Sequence, residues 1–363
     1  VLIQADETIF DYEAREGYGV AVDLGTTSLV AQLLDLSSAK VLAVETALNP
    51  QRKYGSDLIS RLEHALDHGG TELTALIRKE VGRMISELVK DRSIVLARVV
   101  LVGNTVMQHL FSGSDTTSLS SYPFDSPDLG AREFKSSDLD WNMECDRISF
   151  YPSIGSFVGS DILAGIHATG MWRKREYSVL IDLGTNGEIV VGNRDGLLCA
   201  STAAGPAFEG AAISMGMLAT TGAISSVKSG SGGSACSVIG NVPAAGICGS
   251  GLIDAIAVLL DRGELGAFGE ILSGRQELPL TEKVVLTQKD IQEFQLAKAA
   301  IDTGLFLLMR KLGIGEEDIS AIYISGAFGS YINLENLLRT GSMNFSLDRF
   351  HKLGNSALIG AKM

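Results

Sequence analysis

The sequence predicts an α/β protein built from two related domains, and three observations carry that prediction. First, a short pattern occurs twice: Val20–Ser28 reads VAVDLGTTS and Val179–Gly187 reads VLIDLGTNG. One spacing separates Asp23 from Asp182, Gly25 from Gly184 and Thr26 from Thr185, so the second half of the chain restates the first. Second, each copy is an apolar run, an acid, a Gly-Thr turn and a further apolar stretch (Leu29–Leu34; Ile189–Val191), which is the pattern of a strand, a tight loop and a returning strand. Third, 41 glycines against 7 prolines, with 45% hydrophobic residues, suit a compact α/β chain with ample cores rather than a disordered one. A length of 363 residues fits two domains.

The elements follow in order. Val1–Gly17 is mixed and polar, a leading linker. Val20–Leu36 and Val41–Thr46 are predicted strands, and Asp57–His68 and Thr71–Lys90 helices. In the second helix Leu73, Leu76, Ile77, Val81, Met84, Ile85 and Leu88 keep helical spacing. Arg98–Val102 reads as a buried strand, and Gly103-Asn104-Thr105 opens a helix through Leu110. Ser112–Asp140, rich in Ser, Asp, Gly and Pro, is expected to be a loop with mobility or an interaction surface. Ser160–Thr169 is predicted as a helix capped by Ser160. After the second hairpin come a strand at Leu197–Ser201, a helix at Phe208–Met215, a turn-rich stretch at Ser225–Ser237 and a helix at Gly251–Arg262. Ile291–Leu312 is a long amphipathic helix, Ile319–Ile324 a buried strand, and a last helix begins near Gly354 or Asn355. The expected domains are a linker at 1–18, domain I at 19–175, domain II at 176–345 and a C-terminal connecting helix at 346–363.

A net charge of −13 argues against non-specific nucleic-acid binding or an anionic membrane surface. No apolar run reaches the roughly 18–20 residues of a membrane-spanning helix, and there is no basic n-region of a signal peptide. Cys145, Cys199, Cys236 and Cys248 are scattered, with no CxxC and no iron–sulfur or zinc spacing. They read as small thiols in a reduced compartment, so a cytoplasmic location is expected.

The doubled turn carries the chemistry. A glycine lets the backbone approach a phosphate closely with its N–H inward, and the following threonine adds a hydroxyl donor. The acid at the strand end cannot bind phosphate directly but can hold a hydrated Mg²⁺ that bridges phosphate oxygens. Asp23 and Asp182 are therefore the candidate metal carboxylates. Gly25, Thr26, Thr27, Gly184, Thr185, Asn186 and Gly187 are the candidate phosphate-binding residues. Gly205 is expected to line the same cleft, and Gly249-Ser250-Gly251 opens a helix whose N–H groups could meet adenosine or phosphate. Asn104, at a helix start, reads as a cap or a cleft residue, and His109 as a core or surface histidine. His64 and His68 have a metal spacing but no third ligand, so they read as a solvated face.

The two turns resemble the phosphate-1 and phosphate-2 loops of the actin, sugar kinase and Hsp70 ATPase (ASKHA) superfamily. Ile322-Tyr323-Ile324-Ser325-Gly326-Ala327-Phe328-Gly329 resembles its adenosine motif, and Ser160–Thr169 and Asn355–Lys362 occupy the places of its two connecting helices. The resemblance covers residues 19–363. It implies two actin-like, ribonuclease H-like domains around a nucleotide cleft, with Gly326, Ala327 and Phe328 beside adenine or ribose. It also implies a water-orienting acid, Asp161 at the first connecting helix or Glu188 just past the second turn. Within the superfamily, Asn49-Pro50-Gln51, Tyr54-Gly55-Ser56-Asp57 with Arg61, and Val102–His109 form one group of motifs. Phe157–Asp161, Gly205–Gly210 and Gly246–Gly251 form another. Together they resemble the reductive activators of corrinoid-dependent methyltransferase systems, including the O-demethylase activating enzymes. That resemblance implies an ATPase that drives a Co(II) corrinoid protein to Co(I), using ATP and Mg²⁺, with that corrinoid protein as partner.

In that family the electron comes from an iron–sulfur cluster on the same polypeptide, and no cysteine cluster occurs here. The expectation is that the chain is the ATPase portion, that a [2Fe-2S] group belongs to an N-terminal domain outside it, and that the valine start reflects this. A homodimer through the Ile291–Leu312 helix is left open. So are three other functions on the same fold: a small-molecule kinase, a 2-hydroxyacyl-CoA dehydratase activator and an actin-like scaffold.

Overall fold

The computed structural model describes residues 14–363 apart from 56, 91–93, 185, 211, 231–232, 273, 327–328 and 330. It divides into two compact units, one comprising the residues up to Thr169 together with Ser356–Met363, the other Gly170–Asn355.

The first unit is built on a six-stranded sheet of β1 (Tyr18–Leu24), β2 (Ser28–Asp35), β3 (Lys40–Leu48), β4 (Leu96–Gly103), β5 (Arg132–Phe134) and β6 (Ile148–Phe150), in the order β3-β2-β1-β4-β6-β5. β1, β2 and β3 form an antiparallel meander, and β4 lies parallel to β1 on its other side. β1 is apolar on both faces because both are covered. Val20, Val22 and Leu24 enter one core with α1 (Leu58–His68), α2 (Thr71–Val89) and α3 (Thr105–Ser112). Ala21 joins Val100 and Val102 on the opposite face. Asp57 caps α1, accepting from the Ser60 amide at 2.9 Å, a contact of the kind that stabilises a helix start by about 1 kcal/mol. α2 buries Leu73, Ile77, Val81, Met84, Ile85 and Leu88; of the predicted stripe only Leu76 stays half-buried.

The segment Ser112–Asp140 is less loop-like than expected. It carries α4 (Thr117–Ser120), β5 and a 3₁₀ turn at Ser136–Leu139. His109 anchors it, with Nδ1 against the Thr105 carbonyl at 2.8 Å and Nε2 against Ser126 Oγ at 3.0 Å. A second correction concerns α5 (Ser160–Thr169). Ser160 does not cap it; its hydroxyl donates to the Gly103 carbonyl and accepts from the Gly103 amide, each at 3.1 Å. The close approach requires Gly159, whose Cβ would lie 2.2 Å from the Gly103 oxygen and 2.3 Å from the Asn104 Cα. His64, half-buried, stacks on Tyr54 and on His68, which stays exposed as expected of a solvated face.

The second unit repeats the plan. β7 (Tyr177–Leu183), β8 (Gly187–Asn193) and β9 (Gly196–Thr202) form an antiparallel meander. A small sheet follows, made of β10 (Ala223–Gly230), β11 (Gly233–Val238) and β12 (Gly246–Ile247), then α6 (Gly249–Asp261) and the pair β13 (Glu277–Pro279) and β14 (Val285–Thr287). α7 (Gln288–Leu312), β15 (Ile319–Ser325), α8 (Leu334–Arg339) and β16 (Phe350–Gly354) complete it. The main sheet runs β16-β15-β7-β8-β9, with β15 parallel to β7 as β4 is to β1. Each unit thus places its turn between the central strand and its antiparallel neighbour. This is the two-domain actin-like α/β architecture.

α7 is fixed at both ends, by a Thr287/Asp290 capping box and by Gly313 in the left-handed conformation. It buries Ile291, Phe294, Ala297, Ile301 and Leu305 against the sheet. The predicted helix at Phe208–Met215 is instead a 3₁₀ turn at Pro206–Glu209. Gly210, with φ +81°, and Gly216, whose Cβ would lie 1.8 Å from the Gly210 oxygen, fold the chain back. Ile247 then donates to the Met215 carbonyl and accepts from the Met217 amide, each at 2.9 Å. The Ser225–Ser237 stretch is the β10–β11 hairpin rather than a turn region.

The chain ends in α9 (Ser356–Lys362), which belongs to the first unit and packs on α5. It starts after β16, a strand that the sequence pattern does not separate from the helix. Among the described residues no helix is long and apolar enough to cross a membrane.

Candidate functional site

In the first unit Asp23 is the penultimate residue of β1, paired with Val30 on β2 and Val102 on β4. It alternates with Val22 and Leu24, so it shares the face of Ala21, the face on which α5 and α9 pack. Asp161, in the first turn of α5, belongs to the same side; its Oδ1 accepts from the Ile162 amide at 2.8 Å.

The turn Gly25-Thr26-Thr27 is braced from behind. Asn49 Nδ2 donates to the Gly25 carbonyl at 3.0 Å, Arg61 Nη2 to the Thr26 carbonyl at 2.6 Å, and the Asn49 amide to the Thr27 carbonyl at 3.0 Å. Asn104, besides capping α3 through the Met107 amide at 2.9 Å, donates to Thr26 Oγ1 at 3.1 Å. Thr26 is therefore buried, and its own hydroxyl proton is left to donate. Gly25 sits where a Cβ would lie 2.5 Å from the Ser28 carbonyl, so the turn admits no side chain there. Sequence reasoning gave Asn49, Gln51 and Arg61 no task. Their grouping in one motif near the turn was the available signal.

In the second unit Asp182 is the penultimate residue of β7. Sheet register places Ser325 beside it on β15, Glu188 on β8, and Ser201 beyond Glu188 on β9. One polar residue per strand thus forms a row on a single face, since laterally paired residues point the same way. Ser325 Oγ donates to Asp182 Oδ2 at 2.9 Å and Ser201 Oγ to Glu188 Oε1 at 3.2 Å. Gly326 closes the row. It has φ +95°, and a Cβ there would lie 2.4 Å from the Leu183 oxygen and 2.9 Å from Asp182 Oδ1. The end of β15 and the second acid are therefore brought together. The row lies at the carboxyl ends of β7 and β15, where open α/β sheets bind ligands.

Gly184 donates to the Asn186 carbonyl at 3.1 Å, closing the second turn. Gly187 points inward instead, where a Cβ would meet Thr202 Oγ1 at 2.8 Å and Ile301 Cγ1 at 3.0 Å. Gly205, with φ +74°, has open space beside it. Gly249 opens α6 after Cys248, and the Ser250 hydroxyl donates to the Ser225 carbonyl at 2.8 Å, which commits it to β10. The Gly205–Gly210 and Gly246–Gly251 segments are neighbours through the packing of the 3₁₀ turn on α6. Thr185, Ala327 and Phe328 lie outside the described residues.

Burial pushes the Asp182 carboxyl up to about 6, against a smaller lowering by the Ser325 hydrogen bond. The sign of the linkage follows. The folded chain keeps a proton that the unfolded chain gives up near the ordinary value of 3.8, so stability falls as pH rises from there to about 6, by about 1.4 kcal/mol for each pH unit crossed. Above that window the charged, enclosed carboxylate is a standing cost. Asp182→Asn is expected to raise the unfolding midpoint of the ligand-free chain at pH 7.5 and to leave it unchanged near pH 3.5, as denaturant titrations at the two pH values will show.

Comparison with known proteins places the chain. Residues 176–363 match the family described as "C-terminal domain of RACo the ASKHA domain", and residues 18–174 match the "RACo middle region". The chain belongs to the RACo family. It is similar to the corrinoid activation enzyme RamQ of Eubacterium limosum, 36% identical over 95% of this chain and 64% of that one. It is also similar to the [Co(II) methylated amine-specific corrinoid protein] reductase of Methanosarcina barkeri, 30% identical over 95% of this chain and 69% of that one. Among solved structures, a reductive activator for corrinoid, iron–sulfur protein is matched with a TM-score of 0.83 and 32% identity, over 96% of this chain and 60% of the other. This RACo-family chain thus spans about two thirds of the length of the proteins it matches. Asp23, Asn49, Arg61, Asn104 and Asp161 fall in the middle region, and Asp182, Glu188, Ser325 and Gly326 in the ASKHA region.

Proposed function

We propose that the chain binds and hydrolyses ATP and uses the cycle to drive reductive activation of a corrinoid protein, Co(II) to Co(I). The electron is supplied by a [2Fe-2S] domain outside this sequence. The observation that carries the proposal is the doubled acid-Gly-Thr hairpin, each copy with its carboxylate at the end of a central strand, in a chain of the RACo family.

The donor set fits a magnesium nucleotide. Asp182 is a largely desolvated carboxyl, and Glu188 is its cross-strand neighbour. Among the described residues no group of three or more His, Cys, Asp or Glu could hold a metal alone. Mg²⁺ is usually held by one or two carboxylates together with phosphate oxygens and water. Asp23 in the first turn and Asp182 in the second are the proposed magnesium carboxylates, and Mg²⁺ when bound would offset phosphate charge at the transferring group. Gly25, Thr26 and Thr27 and, in the second turn, Gly184, Asn186 and Gly187 are the proposed phosphate contacts, with Thr185 outside the described residues. Glu188 or Asp161 orients the attacking water, with the Ser201 hydroxyl fixing the Glu188 carboxylate. The proposed adenosine neighbours are Gly326 and, outside the described residues, Ala327 and Phe328, and Gly205, Gly249 and Ser250 are the other proposed nucleotide contacts.

ATP is needed because the reduction is uphill. About 59 mV costs about 1.4 kcal/mol for one electron, so a gap of a few hundred millivolts costs several kcal/mol. Hydrolysis supplies no electron; it drives a conformational change that remodels or releases the partner. Phosphate release measured in wild type, Asp23→Ala and Asp182→Ala tests the assignment, and unchanged rates in both variants would remove it.

The same reading includes a homodimer and a cytoplasmic location. α7 leaves Leu296, Phe306 and Leu307 exposed opposite its core face, and the four cysteines are free thiols, which supports a reducing compartment. Light scattering is expected to give a dimer mass that Phe306→Asp reduces to the monomer; a wild-type monomer would exclude that interface.

A further inference from the structure

Among the described residues Arg61 is a cation with no carboxylate in an ion pair with it. Its side chain is fully buried, at 0% exposure. Its hydrogen bonds all end on neutral acceptors: Nη2 on the Thr26 carbonyl at 2.6 Å, Nε on the Gly55 carbonyl at 3.0 Å, Nη1 on Gln51 Oε1 at 3.4 Å and on Met107 Sδ at 3.6 Å. Among the described residues no carboxylate forms an ion pair with it. Asp57 acts on it only at longer range, with its Oδ1 committed to the start of α1. Burial lowers its pKa to about 10, which still leaves it charged at neutral pH. A charge so placed is costly unless something offsets it.

The geometry of the turn indicates what does. The Gly25 carbonyl accepts from Asn49 and the Thr26 carbonyl from Arg61. In a trans peptide the N–H points opposite to the C=O. The amides of Thr26 and Thr27 therefore point away from Asn49 and Arg61, to the front of the turn. A carbonyl bonded from behind polarises the N–H of its own peptide, the more so in a low-dielectric interior. The front of the turn is thus a pair of oriented donors backed by a buried positive charge, which is an arrangement for an anion.

We propose that Arg61 is a positioning residue for nucleotide phosphate, bracing the first turn through the Thr26 carbonyl and holding a charge that no described carboxylate pairs with until the phosphates of ATP offset it. The inference rests on the nucleotide reading above and adds the residue that makes one turn electropositive. It also accounts for the neutrality of the surrounding acceptors, since an acid at Gln51 or Met107 would discharge the cation internally.

Met107 supplies the test. Its sulfur receives both Arg61 Nη1 at 3.6 Å and Asn49 Nδ2 at 3.7 Å, so Met107→Glu puts a carboxylate where two donors already point. Met107→Gln places similar oxygen and shape there without the charge. In calorimetric titrations of the full chain at pH 7.5, Met107→Glu is expected to bind ATP about tenfold more weakly than Met107→Gln, with adenosine affinity equal in the two. A second pair guards against misfolding of the glutamate variant. Arg61→Lys is expected to keep ATP affinity within about threefold of wild type and Arg61→Gln to lose about tenfold, again with adenosine unaffected. Equal ATP affinities within each pair, in a wild-type chain that binds ATP, would overturn the role of Arg61 and leave the nucleotide reading standing. A wild-type chain that binds no ATP would overturn both. A merely structural arginine would move adenosine and ATP together.

Discussion

Asp182→Ala is expected to lower ATP turnover by about two to three orders of magnitude, the scale on which a group aimed at transition-state charge acts. Asp182 is the junction of the polar row in the second unit. Ser325 donates to it, Glu188 stands across from it in register, and Gly326 leaves no room for a side chain beside its Oδ1. In the first unit the lateral neighbours of Asp23 in register are Val30 and Val102. The Asp182→Asn variant should separate function from folding. It removes a carboxyl whose ordinary value burial raises to about 6, so the chain gains stability at neutral pH while losing turnover, as functional residues often trade one for the other. Steady-state phosphate release together with urea midpoints of the same preparations will show whether the two effects run in opposite directions.

Gly360→Leu is the substitution expected to damage the fold most. α9 crosses α5 at Gly360, where even a Cβ would lie 2.0 Å from the Ala164 oxygen and 2.7 Å from its Cα. The obstacle is backbone inside a helix, so no rotamer change relieves it. Overpacking of a core typically costs about 1–3 kcal/mol, and an obstacle of this kind belongs at or above the upper end. The small residues Ala164, Ala357 and Ala361 gathered around Ala21, Val100 and Val102 have the same purpose, bringing two helices close to the sheet face that carries Asp23. A drop in the urea midpoint much larger than that of Gly130→Ala, where nothing lies near the added Cβ, is the expected result. Equal midpoints would mean that the crossing is loose in solution.

Much of this was legible in the chain. The repeated hairpin, the α2 stripe and the boundaries of α5 follow from local periodicity, and the structure keeps them. The 3₁₀ turn at Pro206–Glu209 was not legible, because apolar spacing suggested a helix while the deciding facts are tertiary: Gly216 packs on the Gly210 oxygen and the segment pairs with β12. β16 was absorbed into the final helix since five residues of strand carry little period of their own. The site divides in the same way. Asp23 and Asp182 stand out by repetition. The lateral row of Ser325, Asp182, Glu188 and Ser201 exists only once strands distant in sequence are in register. Asn49 and Arg61 reach the first turn from outside its hairpin, so their motif marks them as a group without showing that they brace it.

The most direct test of the central claim is ATP turnover by the chain with and without a corrinoid protein held in the Co(II) state, with sugars and organic acids as alternative acceptors. The account predicts phosphate release to water that rises with the Co(II) protein and disappears in Asp182→Ala. Phosphoryl transfer to a small-molecule acceptor, or turnover indifferent to both the corrinoid protein and Asp182, would contradict it.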